Sequence, residues 1–102
     1  MATHELKTWP EYFEQTVAGA KRFEIRDESD RKFAVGDTLI LQEHDAGKYT
    51  GRSAEVAVVS VFRGFGLLPN FCIMSVMLIS VPAIPVLDQA EVLMERTLRV
   101  LP

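Results

Sequence analysis

The run from Arg52 to Phe62 constrains this fold most, because Val56, Val58, Val59 and Val61 make both faces of a strand apolar near its middle. β-branched residues favour the extended chain, and a strand apolar on both sides belongs in a sheet interior or a barrel wall. A second core strand, Phe71 to Ile79, follows the glycine-containing loop Arg63–Asn70. Three shorter strands precede them. His4 to Lys7 turns Leu6 inward, Arg22 to Arg26 follows, and Thr38 to Glu43 places Leu39 and Leu41 on one face. Val35-Gly36-Asp37 marks a turn, Asp27 to Lys32 a charged loop, and His44 to Gly51 a hairpin tip.

One helix interrupts the strands early. Thr8 is placed to cap it, Glu11 completes a capping box, and Pro10 fits the first turn, where its missing N–H costs nothing. Gly19 ends it, since glycine takes the left-handed cap without penalty. Trp9, Tyr12, Phe13 and Val17 recur at helical spacing and are expected to bury as one aromatic face. The fold expected is mainly β with some α: a small barrel or strongly curled sheet of about five strands with an N-terminal helix packed on it.

Beyond Pro85 the pattern changes. Asp88 and Glu91 resemble a second cap, and Ala90, Leu93, Met94, Leu98 and Leu101 predict a C-terminal amphipathic helix. Residues 1–79 thus form the barrel domain and residues 80–102 a Pro-containing connection and helix packed on it. The alternative for that helix is a homodimer contact.

At 102 residues the chain is one domain with a modest core. A formal net charge of −3 excludes a protein that coats nucleic acid by bulk electrostatics. One cysteine, Cys72, excludes an internal disulfide and sits in an apolar run, as a buried inert thiol does. His4 and His44 have no second ligand pattern near them, so no metal is expected, and nothing specifies a cofactor. Met1 to Glu5 holds no apolar leader, which predicts a cytoplasmic protein. The apolar run Phe71–Leu87 is shorter than the ~20 residues a span needs, and Pro82 and Pro85 interrupt it, so no membrane partner is expected.

The chemistry concentrates in Gly19-Ala20-Lys21-Arg22-Phe23-Glu24-Ile25-Arg26. Alternation predicts that Phe23 and Ile25 bury while Arg22, Glu24 and Arg26 form a charged face. Such a face is either a solvated surface of weak ion pairs or the floor of a polar site. In the second case Lys21 lies at the mouth of a cleft under the helix end, and Glu24 holds a cation or accepts from a base edge. Arg26 then offers a fork of donors to phosphate or carbonyl groups. Lys7 joins them if the first strand lies beside this one.

The stretch from His4-Glu5-Leu6-Lys7 through Gly19-x-Lys21-x-x-Glu24-x-Arg26 resembles an ASCH domain, the activating signal cointegrator homology group of the PUA-like superfamily. Val35-Gly36-Asp37-Thr38-Leu39 and Tyr49-Thr50-Gly51-Arg52 resemble a compact bacterial and phage branch of that group. The resemblance covers residues 4–79 and implies a PUA-like β-barrel. It also implies an RNA- or nucleotide-binding cleft centred on Lys21, Glu24 and Arg26, with Lys7 and Arg22 at its edge. Some ASCH proteins hydrolyse an N4-acylated cytidine, using a lysine, a threonine three residues later and a distant glutamate. Here Lys21 matches the lysine, but Glu24 stands where the threonine belongs. Thr38, Thr50, Ser53, Ser60 and Ser75 are the remaining hydroxyls considered, and a hydroxyl needs an adjacent base to become a nucleophile. Catalysis would then fall to Lys21 and Glu24, so binding is the expected function and amide hydrolysis the alternative.

Overall fold

The computed structural model describes residues 1–82. The chain runs β1 (Thr3–Thr8), α1 (Pro10–Val17), β2 (Phe23–Asp27), β3 (Thr38–Asp45), β4 (Lys48–Arg63) and β5 (Phe71–Ser80). The five strands form one sheet in the order β1-β3-β4-β5-β2, curled into a half-barrel. β1 lies parallel to β3; every other neighbouring pair is antiparallel. A parallel pair needs a long crossover, and residues 9–37, carrying α1 and β2, supply it. The expected helix at Asp88–Leu101 lies outside the described residues, as does most of the segment 80–102.

The core is the concave side of the sheet. Leu6, Leu39, Leu41, Val56, Val58, Cys72, Met74 and Val76 alternate inward from four strands, and Phe33 closes over them from the β2–β3 connection. At about 25 cal/mol per Å² of apolar surface, this cluster is the main source of stability. Burial also pushes the Cys72 thiol up from its ordinary pKa, as expected of an unreactive core cysteine.

The double-faced valine run has a specific cause. β4 and β5 lose register between Val58 and Ser60, leaving Val59 as the extra residue of a β-bulge. Val56 and Val58 point inward, Val59 is exposed, and Val61 returns to pack on the core. The bulge, not burial on both sides, puts apolar residues at odd and even positions. The β3–β4 hairpin is tighter than expected. Asp45 pairs with Lys48 across Ala46 and Gly47, which take φ of 51° and 85°, the two-residue turn that matches strand twist.

The helix differs from expectation at its start. Thr8 is the last residue of β1 and is buried, and the helix N-cap is Trp9, with no side-chain capping bond. The helix still begins at Pro10, because a first-turn proline needs no N–H partner. Its end is as expected. Gly19 (φ 79°) donates to the Thr16 carbonyl and Ala20 to the Gln15 carbonyl, a pair of bonds that only a left-handed residue allows. The aromatic face does not bury as a unit. Phe13 is 1% exposed, whereas Trp9 is 67% exposed and Tyr12 45%. An eight-residue helix lying against β3 and β4 turns only part of its circumference to the sheet, and Phe13 and Thr16 occupy that part.

β2 carries the largest correction. Phe23 and Ile25 are 45% and 46% exposed, and Glu24 is 2% exposed. The strand is where alternation puts it, but its faces are reversed, because Glu24 finds cationic partners on the concave side.

Candidate functional site

Glu24 is the floor of a cleft of about 410 Å³. Its Oε1 accepts from Arg26 Nε at 3.0 Å and Nη2 at 2.8 Å, and its Oε2 accepts from Lys21 Nζ. A buried carboxylate is tolerated only when paired and hydrogen-bonded, and here two cations meet that requirement. Lys21 reaches Glu24 because the glycine cap of α1 turns the chain back onto β2. Its Nζ also donates to the Phe23 carbonyl at 2.8 Å. The ammonium stands 5.8 Å from the Tyr12 ring centre and 5.0 Å from that of Phe23, both within cation–π range.

Arg26 has a second task. β1 and β2 are opposite edges of the sheet, yet Arg26 Nη2 donates to the Lys7 carbonyl at 2.9 Å. The sheet curls until its two edges meet at this guanidinium, which places Lys7 on the cleft although β1 does not lie beside β2. Thr8, Trp9, Tyr12, Phe23 and Ile25 complete the lining. Lys7, Lys21, Glu24 and Arg26 are therefore brought together. Arg22 faces a neighbouring pocket of about 330 Å³ with Thr16 and Leu78, and its Nε donates to the Gly19 carbonyl at 2.9 Å.

Sequence reasoning leaves Trp9, Tyr12, Phe23 and Ile25 out of the cleft, expecting all four to bury, and Thr8 out of it as a helix cap. A signal existed for Trp9: it precedes Pro10, the first helical residue, and so stands at the cap and not on the helix face. Thr38, Thr50, Ser53, Ser60 and Ser75 are absent from the cleft lining; among the described residues Thr8 is its only serine or threonine.

Three further buried carboxylates brace the frame. Glu43 accepts from Arg52 Nε and Nη2 at 2.8 and 2.7 Å and from the Thr50 hydroxyl at 2.7 Å, and these bonds hold its pKa below the ordinary value. Arg52 also meets Glu14 of α1 and lies 4.7 Å from the Phe13 ring centre, so it ties the hairpin to the helix behind the cleft. Glu28 takes both Arg63 Nε and Nη2, which brings its pKa down to about 2. Burial pushes Asp37 up, but bonds from the Ala2 and Ala34 amides and from His4 outweigh it and leave Asp37 below its usual range. Among the described residues, no helix is long and apolar enough to cross a membrane.

A family model described as "Domain of unknown function (DUF3850)" matches residues 3–76, from the start of β1 to Val76 in β5. The chain belongs to this family. The match includes the helix cap, the Lys21–Glu24–Arg26 segment and the hairpin, so the whole cleft lies inside the DUF3850 region. Over 58 residues the chain is 43% identical to the "Uncharacterized 12.9 kDa protein in GpA 3'region" of Escherichia phage P2, an alignment covering 57% of this chain and 52% of that protein. The chain thus spans about half the length of that curated relative.

Proposed function

We propose that this chain is an ASCH-type, PUA-like module that binds RNA or a nucleotide-like ligand in the cleft above Glu24. One observation carries the reading: two exposed aromatic rings, Trp9 and Tyr12, share a cleft with the Lys21–Glu24–Arg26 cluster. Rings stack on bases regardless of sequence, and Lys and Arg supply the charge that phosphate needs. Among the described residues of the lining, Lys21 and Arg26 outnumber the Glu24 carboxylate and Lys7 stands at the rim, so the cleft is locally basic within a chain of net charge −3. That contrast favours a short single strand or a free nucleotide over a long duplex.

Amide hydrolysis has less support. Both oxygens of Glu24 are engaged by cations, and at 2% exposure the carboxylate offers almost no surface to a water or a substrate. Fluorescence anisotropy with short labelled RNAs, at two salt concentrations, tests binding. The expected result is salt-sensitive binding that Lys21→Ala weakens by at least about tenfold, the loss of one charge-assisted contact. No binding by the wild type, or equal binding by the variant, would overturn the reading. Release of cytidine from N4-acetylcytidine, lost in Lys21→Ala, would establish the hydrolase instead.

A further inference from the structure

The charged groups of the cleft leave donors free and their acceptor occupied, and this asymmetry selects among bases. Its charged and carbonyl acceptors are already used, while the Thr8 and Tyr12 hydroxyls, which also line it, can either give or accept. Glu24 Oε1 takes two N–H groups of Arg26, and Oε2 takes Lys21. The Phe23 carbonyl on the rim accepts from Lys21, and the Lys7 carbonyl accepts from Arg26. At 2% exposure, Glu24 also has almost no surface to offer a ligand. The role expected from the sequence, accepting an amino group from a base edge, is therefore closed to it. Donors remain on every side. Among the described residues, Arg26 Nη1 has no hydrogen bond, and Lys21, an ammonium with three N–H groups, spends two of them. Trp9 adds an indole N–H, while the Lys7 ammonium stands 5.9 Å from the ring centre of Tyr49, a residue outside the cleft lining.

We propose, resting on the nucleotide-binding reading above, that the cleft selects keto bases, uracil and guanine, over the amino bases adenine and cytosine. Guanine presents O6 and N7 as adjacent acceptors, one for the unused Nη1 of Arg26 and one for the unused N–H of Lys21, and uracil presents ring carbonyls. Adenine and cytosine bring an exocyclic amino group to the same place. An amino group facing Arg26 and Lys21 sets donor against donor, and both sides lose their water without gaining a partner. Stacking on Trp9 and Tyr12 is common to all four bases, so discrimination falls to the charged edge. Glu24 is a positioning residue: it touches no ligand, but it fixes both cations with their unused N–H groups free for one.

Calorimetric titration of the full chain with the four nucleoside 5′-monophosphates, at one fixed salt concentration, tests the proposal. The expected result is that uridine and guanosine monophosphates bind at least about tenfold tighter than the adenosine and cytidine compounds, the discrimination of one good edge contact. Equal affinities, or a preference for the amino bases, would overturn the keto selection while leaving nucleotide binding intact. Binding of none of the four, and of no short RNA, would overturn both. Arg26→Lys keeps the charge and removes the free Nη1. It should bring the four affinities to within about threefold of one another; an unchanged preference in this variant would also count against the proposal.

Discussion

Glu24 shows how a single position can set both the shape and the chemistry of a small protein. It is a carboxylate on the inward face of an edge strand, where an aliphatic residue would be ordinary, and it is kept there by Lys21 and Arg26. Removing one member of such a group leaves the others buried and uncompensated. Glu24→Ala should therefore lower unfolding stability by about 3–5 kcal/mol, read from the urea midpoint at constant slope. Glu24→Gln keeps the shape and should cost less. A loss below about 0.5 kcal/mol, the size of an exposed pair, would show that the cluster is solvated and not structural. The sequence made this residue visible as part of a motif but not its direction. Alternation marks a strand without saying which side faces in. Phe23 and Ile25 carry the stronger hydrophobic signal, so a local pattern takes its phase from them. What reverses it is a pair of cations supplied by the helix cap and by the strand itself, a tertiary term that a local pattern does not contain.

At the scale of elements, turns and caps were more legible than faces. Gly19 ended the helix as expected because the requirement is local: one residue, one backbone conformation. The β3–β4 hairpin is similar but carries a flaw. Ala46 occupies a left-handed position (φ 51°) followed by Gly47, and a left-handed conformation costs an alanine about 1 kcal/mol. Ala46→Asn, giving the favoured Asn-Gly pair, should stabilise the protein by up to about 1 kcal/mol; a lower thermal midpoint would contradict the assigned turn. The aromatic stripe was less legible. Helical spacing identifies residues that share a face, but not how much of that face a short helix buries. Thr8 misled for a related reason. A capping box is a sequence pattern, and here the β1 strand runs on through the threonine and leaves Trp9 at the cap. Bulges escaped altogether: the valine run was read as a double-faced strand because nothing in the residues themselves marks Val59 as the one without a partner.

The whole molecule is organised around carboxylates that are buried and answered. Glu28, Asp37 and Glu43 all have pKa values below the ordinary carboxylate range when folded. A group whose pKa is lower folded than unfolded stabilises the fold above its unfolded pKa and loses that contribution as pH falls. For Glu28 the window runs from the ordinary 4.5 down to about 2. Stability should therefore hold from neutral pH to about 4.5 and fall steadily below it. Arg63→Ala removes the main cause of the Glu28 shift, so it should move the start of acid unfolding to higher pH, measured by circular dichroism across a pH series. An unchanged acid profile in that variant would place the sensitivity in other groups.

The reversed faces of β2 have a consequence for how the chain behaves in company. An edge strand with outward Phe23 and Ile25 is the kind of surface on which a second chain can add a strand and begin to aggregate. Natural sheets blunt such edges with charge. Alternation along β2 turns the Phe23 carbonyl away from β5, toward open edge, and Lys21 already occupies it. On the other edge Arg26 occupies the carbonyl of Lys7. The two cations that shape the cleft thus also act as gatekeepers, each holding a backbone acceptor that an invading strand would need.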